Sequence, residues 1–75
     1  MDKLTKGLIE ALALWPASMN ELARRAGVAD STYVRIRQGG HFNASPQTVE
    51  KTLAAVNETL RELRRARTAL EDALD

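Results

Sequence analysis

The 75-residue chain has no cysteine and a single histidine, His41. Without thiols it has no disulfide framework, no thiolate nucleophile and no zinc finger, and one histidine alone cannot build a metal site. Glycine-rich phosphate loops, nucleophile elbows and metalloprotease motifs are missing as well. The sequence therefore predicts a protein that is not an enzyme and needs no cofactor.

Long apolar runs are also missing. No segment approaches the roughly eighteen apolar residues that a membrane-spanning helix needs, and the N-terminus has no apolar stretch followed by a cleavage site. We therefore expect no membrane association and a cytoplasmic location. The chain is long enough for one domain with a small core, so oligomerisation would help to stabilise it.

The net charge of +1 is small, but the charges are unevenly distributed. Residues 24–38 carry four arginines and one aspartate, which gives a local charge of +3, whereas residues 45–75 carry five basic and six acidic side chains. A positive segment favours an anionic partner, although a solvated helix face would have the same composition.

The positive segment lies in a pattern of two short helices joined by a tight turn. Ser18 and Glu21 have the spacing of a capping box, which predicts that a helix begins near Met19. An apolar face follows at helical spacing, and Gly27 supplies the left-handed conformation that ends the helix. That face comprises Leu22, Ala23 and Ala26.

A second short helix is predicted from Asp30 to Gln38, with Asp30 expected to cap it. One face carries Tyr33 and Ile36, in line with Ala29 and Gly40, and should pack against the core. The opposite face carries Ser31, Arg35 and Gln38, with Val34 at its edge.

The segments ELARRAGV and STYVRIRQGG resemble the helix-turn-helix of Xre/Cro-type (lambda-repressor-like) regulators, with the LacI-type headpiece as a close cousin. The resemblance covers roughly residues 18–60, including the later SPQTVEKTLAAVNETL. It implies that the second helix enters the major groove of double-stranded DNA while the first lies across it. The residues then expected to read bases are Ser31, Thr32, Val34, Arg35 and Gln38. Those expected to contact phosphates are Asn20, Arg37, His41 and Asn43.

Helices are predicted on both sides of this motif. Residues 3–15 form an amphipathic helix that Pro16 ends, and Trp15 is expected to pack in the core. Ser45 caps the last helix and Pro46 occupies its first turn. Phe42, in the preceding loop, is expected to fill the core.

The last helix contains a heptad seam, with apolar side chains at alternating steps of four and three. The seam comprises Val49, Leu53, Val56, Leu60, Leu63, Leu70 and Leu74, with Arg67 at one a position. We expect the core to cover only its first half. Self-association through Leu60, Leu63, Arg67, Leu70 and Leu74 is therefore predicted. Arg67 favours either a splayed pair or an antiparallel crossing in which it reaches Glu71 of the partner. A solvated tail held by Arg67–Glu71 pairing is the alternative.

Together these patterns predict an all-α fold: a small helix-turn-helix bundle of four helices with a long C-terminal helix. Residues 1–60 would form the DNA-binding domain, and residues 61–75 a dimerisation extension continuous with the fourth helix. The expected function is a sequence-specific transcriptional regulator, most simply a repressor, that binds an inverted-repeat operator as a homodimer. The alternatives are an assembly or interaction module, such as a phage packaging small subunit or an antitoxin, and a helix-turn-helix repurposed for protein contacts.

Overall fold

The computed structural model describes residues 2–39 and 43–75. These residues form an all-helical fold, with α1 at Lys3–Leu14, α2 at Met19–Ala26, α3 at Asp30–Gln38 and α4 at Pro46–Ala73. The predicted fold class is confirmed. Within the same residues, no helix combines the length and the apolar character that a bilayer crossing requires.

Side-chain caps begin three of the helices. The Thr5 amide donates to Asp2 at 2.7 Å before α1, and the Thr48 amide donates to Ser45 Oγ at 3.1 Å before α4. Pro46 occupies the first turn of α4, where it lacks only an amide that has no partner inside a helix. Local chemistry therefore sets these starting points. The Ser45 cap was predicted from the sequence, and the Asp2 cap was not.

Half of the predicted capping box is present at the start of α2. Ser18 Oγ accepts from the Glu21 amide at 3.4 Å. The Glu21 carboxylate, however, pairs with the guanidinium groups of Arg24 and Arg25 in its own helix. An ion pair one turn ahead competes for the carboxylate that would otherwise bond back to the Ser18 amide.

The predicted cap of α3 is wrong. Ala29, not Asp30, is the N-cap residue, and no side chain bonds to the first amides. The backbone closes the turn instead, since the Thr32 amide donates to the Ala29 carbonyl at 3.0 Å. Asp30 lies one position further in, within the first turn, where its charge favours the helix N-terminus.

The turn between α2 and α3 is formed at Gly27, as predicted. Gly27 has φ +74° and ψ +31°, a left-handed conformation that side chains with a Cβ rarely adopt. Its amide bonds to the Arg24 carbonyl at 3.2 Å, and the Val28 amide bonds to the Ala23 carbonyl at 3.0 Å. These bonds satisfy the last carbonyls of α2 and direct the chain into α3.

The core takes side chains from all four helices and from the segment before α4. Trp15 is half-buried against it, as predicted, and its Nε1 donates to the Ser18 carbonyl at 3.3 Å. Phe42 and Gly40 lie outside the described residues. The buried apolar side chains are Leu8, Leu12, Leu22, Ala23, Ala26, Tyr33, Ile36, Ala44 and Ala55.

Two threonines are buried with this apolar set. Thr5 Oγ1 accepts from the Ala44 amide at 2.8 Å, which fixes the start of α1 beside the segment that leads into α4. Thr52 Oγ1 lies 2.6 Å from the Tyr33 hydroxyl, which joins α4 to α3. Both hydroxyls are hydrogen-bonded, so their burial does not leave a polar group unsatisfied.

The orientation of α4 agrees only in part with the predicted one. Thr52 and Ala55 face the core, whereas Leu53 is 57% exposed and Leu60 is 44% exposed. The expectation that the core covers the first half of the seam is confirmed for Val49 and Val56, which pack half-buried against it, and is wrong for Leu53. We call the exposed side chains the leucine stripe: Leu53, Leu60, Leu63, Leu70 and Leu74.

The distal half of α4 extends beyond the bundle. The molecule measures 53 × 20 × 18 Å, and its radius of gyration is 14.6 Å. A compact chain of this length would have a radius of gyration of about 11 Å. Every side chain from residue 60 to residue 75 is exposed.

Candidate nucleic-acid interface

The two faces of α3 have opposite environments. Tyr33 is completely buried and Ile36 is 3% exposed, so these side chains fix the helix to the core. The predicted base-reading residues Ser31, Arg35 and Gln38 are exposed, and Val34 is 44% exposed. Thr32 is only half-buried and lies nearer the core than the other four.

Arg37 lies where the end of α3 meets the start of α2. Its Nη1 is 3.4 Å from the Sδ of Met19, and Met19 is the first residue of α2. Asn20, the next residue, is exposed. Two predicted phosphate contacts are thus brought to one place, beside the positive end of the α2 dipole.

The other two predicted phosphate contacts belong to the segment between α3 and α4. Asn43 is exposed. His41 lies outside the described residues. A shallow depression lined by Val34, Arg37 and Gln38 runs along the exposed side of α3.

Arg25, one of the four arginines counted in the positive segment, binds to α4. Its guanidinium forms ion pairs with Glu62 and, at 3.9 Å, with Glu58, and donates to Thr59 Oγ1 at 3.4 Å. The hydrogen bond and the charge of Glu62, with a smaller contribution from Glu21, raise the pKa of Arg25 above its usual value. Arg25 therefore connects α2 to α4 and adds little positive charge to the α3 face.

The other two arginines of the positive segment lie on α3. Arg24 forms an ion pair with Glu21 one turn away on α2. Arg35 and Arg37 lie in the last turn of α3 and are exposed. The +3 charge counted along the sequence is thus partly neutralised on α2.

The predicted dimerisation residues lie together on the extended part of α4. Leu63 is 59% exposed, Leu70 is 69% exposed and Leu74 is 89% exposed. Arg67 Nε lies 3.7 Å from Glu71 Oε2 in the same helix. An intrachain pair therefore occupies the two side chains that one predicted arrangement paired across the dimer.

Metal-binding chemistry is not assembled in residues 2–39 or 43–75, since no group of three or more histidine, cysteine, aspartate or glutamate side chains converges there.

The largest feature missed from the sequence is the connection between Arg25 and α4. Glu58 and Glu62 are one turn apart on α4, and this spacing could have indicated a site for a cation from another helix.

No family model, curated protein or solved structure matches the chain.

Proposed function

We propose that the chain is a sequence-specific DNA-binding transcriptional regulator that inserts α3 into the major groove. One observation carries the proposal: α3 is fixed from behind by the buried Tyr33 while Ser31, Arg35 and Gln38 are exposed on its outer side. A helix held rigidly on one face and polar on the other can enter a groove without disturbing the core. The resemblance of this segment to Xre/Cro-type motifs supports the same function.

The exposed side chains have chemistry suited to base edges. Arg35 can donate two hydrogen bonds to O6 and N7 of guanine, and Gln38 can pair with the N6 and N7 edge of adenine. Ser31 and Thr32 are short side chains that bond to either kind of edge, and Val34 can contact a thymine methyl. Arg35 is the strongest candidate, since a bidentate guanidinium discriminates best.

Phosphate contacts would set the register of the domain on DNA. Asn20 and Arg37 lie at the N-terminus of α2, where backbone amides and the helix dipole favour an anion. Asn43 and His41 are proposed as further contacts from the loop. These interactions add affinity without sequence information.

We further propose that the regulator acts in the cytoplasm as a homodimer through the leucine stripe, most simply as a repressor. A symmetric dimer presents two copies of α3, and if they lie about 34 Å apart, the operator is an inverted repeat with half-sites one helical turn from each other. The exposure of five leucines on one helix supports self-association, because exposed apolar patches of this kind usually mark interfaces.

A second candidate function is an assembly or interaction module, such as a packaging subunit or an antitoxin. The leucine stripe favours it equally, since a docking helix for another protein would have the same exposed face. Stoichiometry in solution separates the two: a ring-forming subunit sediments as a species much larger than a dimer.

Selection of bound sequences from a random DNA pool, followed by salt titration of the best site, tests the proposal. We expect an enriched inverted repeat and a specific affinity at least about a thousandfold above that for random DNA. Recovery of unrelated sequences, bound no more tightly than the starting pool, would exclude a sequence-specific regulator.

A further inference from the structure

An apolar cleft lies between α1 and α4, beside the leucine stripe. Its open side is at Gly7, where an added Cβ would meet nothing within 4 Å. Leu53 belongs to both the cleft and the stripe, so the two features form one continuous apolar surface. The cleft is lined by Gly7, Leu8, Ala11, Val49, Thr52, Leu53 and Val56.

We propose that this cleft receives the distal half of α4 from a second copy of the chain, so that the two α4 helices pack antiparallel. The inference rests on the dimer of the proposed function and specifies its orientation and register. Each cleft would then be covered by the other chain's leucine stripe.

The spacing of the seam is self-complementary in this arrangement. With the two-fold axis near residues 61 and 62, Leu60 faces the partner's Leu63, and Leu53 faces the partner's Leu70. Val49 then faces the partner's Leu74, since antiparallel helices align positions whose numbers have a constant sum. The most exposed leucines of the stripe would thus cover the cleft.

Arg67 favours antiparallel over parallel packing. A parallel, in-register pair would place Arg67 beside the partner's Arg67 in the seam, where two like charges are costly to desolvate. The antiparallel register places Arg67 opposite the partner's Val56 instead. Arg67 can then keep its 3.7 Å pair with Glu71 in its own chain.

Charges at the ends of the helices favour the same direction. The last turn of the chain is acidic, with Glu71, Asp72 and Asp75, whereas the first turn of α1 carries Lys3 and Lys6. The hydrogen bond between Thr5 and Ala44 places the start of α1 beside the start of α4. An antiparallel partner brings its acidic end to these lysines, whereas a parallel pair sets two acidic ends side by side.

Small side chains permit close approach beside the stripe. Ala66 and Ala73 occupy the flank that continues Thr52 and Thr59, and these flanks face each other in an antiparallel pair. The partner helix would contact α4 alone in the distal half and both α1 and α4 over the cleft. Such a contact would bury roughly 600 Å² on each chain, near the lower limit for stable complexes. The available surface is therefore sufficient for a reversible dimer.

Spin labels on single-cysteine variants test the direction, because the chain has no cysteine of its own. For Asp72→Cys we expect a separation of about 30 Å between the two labelled backbones, from the 1.5 Å rise per residue. Arg61→Cys, near the two-fold axis, is the matched control and should give a short distance. Short distances at both positions would overturn the antiparallel arrangement, as would a chain that sediments as a monomer at high micromolar concentration.

A substitution in the cleft tests the docking site itself. Gly7→Glu should raise the dimer dissociation constant roughly tenfold or more, because it places a carboxylate in the apolar contact and beside the acidic end of the partner helix. The exposed Ala13→Glu on the opposite side of α1 is the control and should leave the constant unchanged. Equal dissociation constants for both variants would show that the cleft is not the interface. Label distances and dissociation constants are measured without DNA, so this proposal can fail while DNA selection still succeeds.

Discussion

Thr52 of α4 accepts a hydrogen bond from Tyr33 of α3 in the centre of the core. The two oxygens lie 2.6 Å apart, and Thr52 uses its one proton to bond to the Thr48 carbonyl at 2.8 Å. Tyr33 is therefore the donor. A buried bond whose donor and acceptor ends are not equivalent therefore holds α3 to α4.

This asymmetry predicts unequal costs. Tyr33→Phe removes the donor but leaves the Thr52 proton bonded, so it should lower the free energy of unfolding by only about 1 kcal/mol. Thr52→Val leaves the Tyr33 hydroxyl buried without an acceptor, and about 1–3 kcal/mol is expected. Urea unfolding measures both, and the double variant should be more stable than Thr52→Val alone. A Tyr33→Phe variant less stable than Thr52→Val would contradict the assigned donor.

Substitutions at two glycines with different backbone conformations should change the stability of the fold in opposite directions. Gly27→Val forces a β-branched residue to φ +74° and should destabilise the fold by more than the roughly 1 kcal/mol of an ordinary helical glycine exchange. Gly7→Ala is the control: it lies within α1, where an added Cβ meets nothing, and should stabilise by up to about 1 kcal/mol. Thermal melting compares them, and an unchanged melting temperature for Gly27→Val would contradict a strained turn.

Arg35 and Arg37 are neighbours on α3 with different expected roles. Arg35→Ala should cost about 1–3 kcal/mol in specific binding and relax the preference at one base pair. Arg37→Ala should weaken binding to all sequences alike and lower the salt slope by about one. Competition titrations with specific and random DNA distinguish them, and equal effects of both variants on both DNAs would defeat the assignment.

The cap of α1 predicts an acid-dependent loss of stability. The Thr5 amide, by donating to Asp2, holds the pKa of that carboxyl below its ordinary value near 4. A lowered pKa means that the contribution is complete above the ordinary value and is lost as the pH falls through the folded-state pKa. Asp2→Asn should therefore weaken the decline of the melting temperature below about pH 4. Glu10→Gln, at an exposed position of α1 beyond its first turn, serves as the control and should leave that decline in place.

Removal of the distal helix should separate dimerisation from folding. Deleting residues 63–75 keeps Glu62, and with it the contact to Arg25, while it removes three of the five stripe leucines. We expect a folded monomer that binds a single half-site weakly, measured by sedimentation and DNA titration. A truncated chain that still sediments as a dimer would place the interface elsewhere.

The sequence predicted what depends on near neighbours. Gly27 and the Ser45–Pro46 pair mark helix ends through contacts within four residues, so α2, α3 and the start of α4 were found at the right positions. The helical periodicity of α3 predicted that Ser31, Arg35 and Gln38 would be exposed, and the packing of α3 agrees with it. Such features depend on local interactions and not on how the helices pack against each other.

Other features depend on residues distant in sequence and were missed. The buried Thr52 hydroxyl bonds to Tyr33, nineteen positions away, as well as to the Thr48 carbonyl in its own helix. The core-facing side of α4 is centred on Thr52 and Ala55, and Leu53 is left exposed, although apolar spacing alone predicted that the core would cover it. Arg25 likewise turns to Glu62, thirty-seven positions away, and not to the surface where its neighbours place it.

The continuity of α4 also sets an order of events during folding. Isolated helices shorter than about 12–15 residues are marginal in water, and the segment beyond Glu62 is of that length. Its helical turns can therefore form only as an extension of turns already held by Thr52 and Ala55. The proposed dimer surface lies on that extension, so we expect a partner to bind only after the domain has folded, and the helix content of the distal segment should rise with protein concentration.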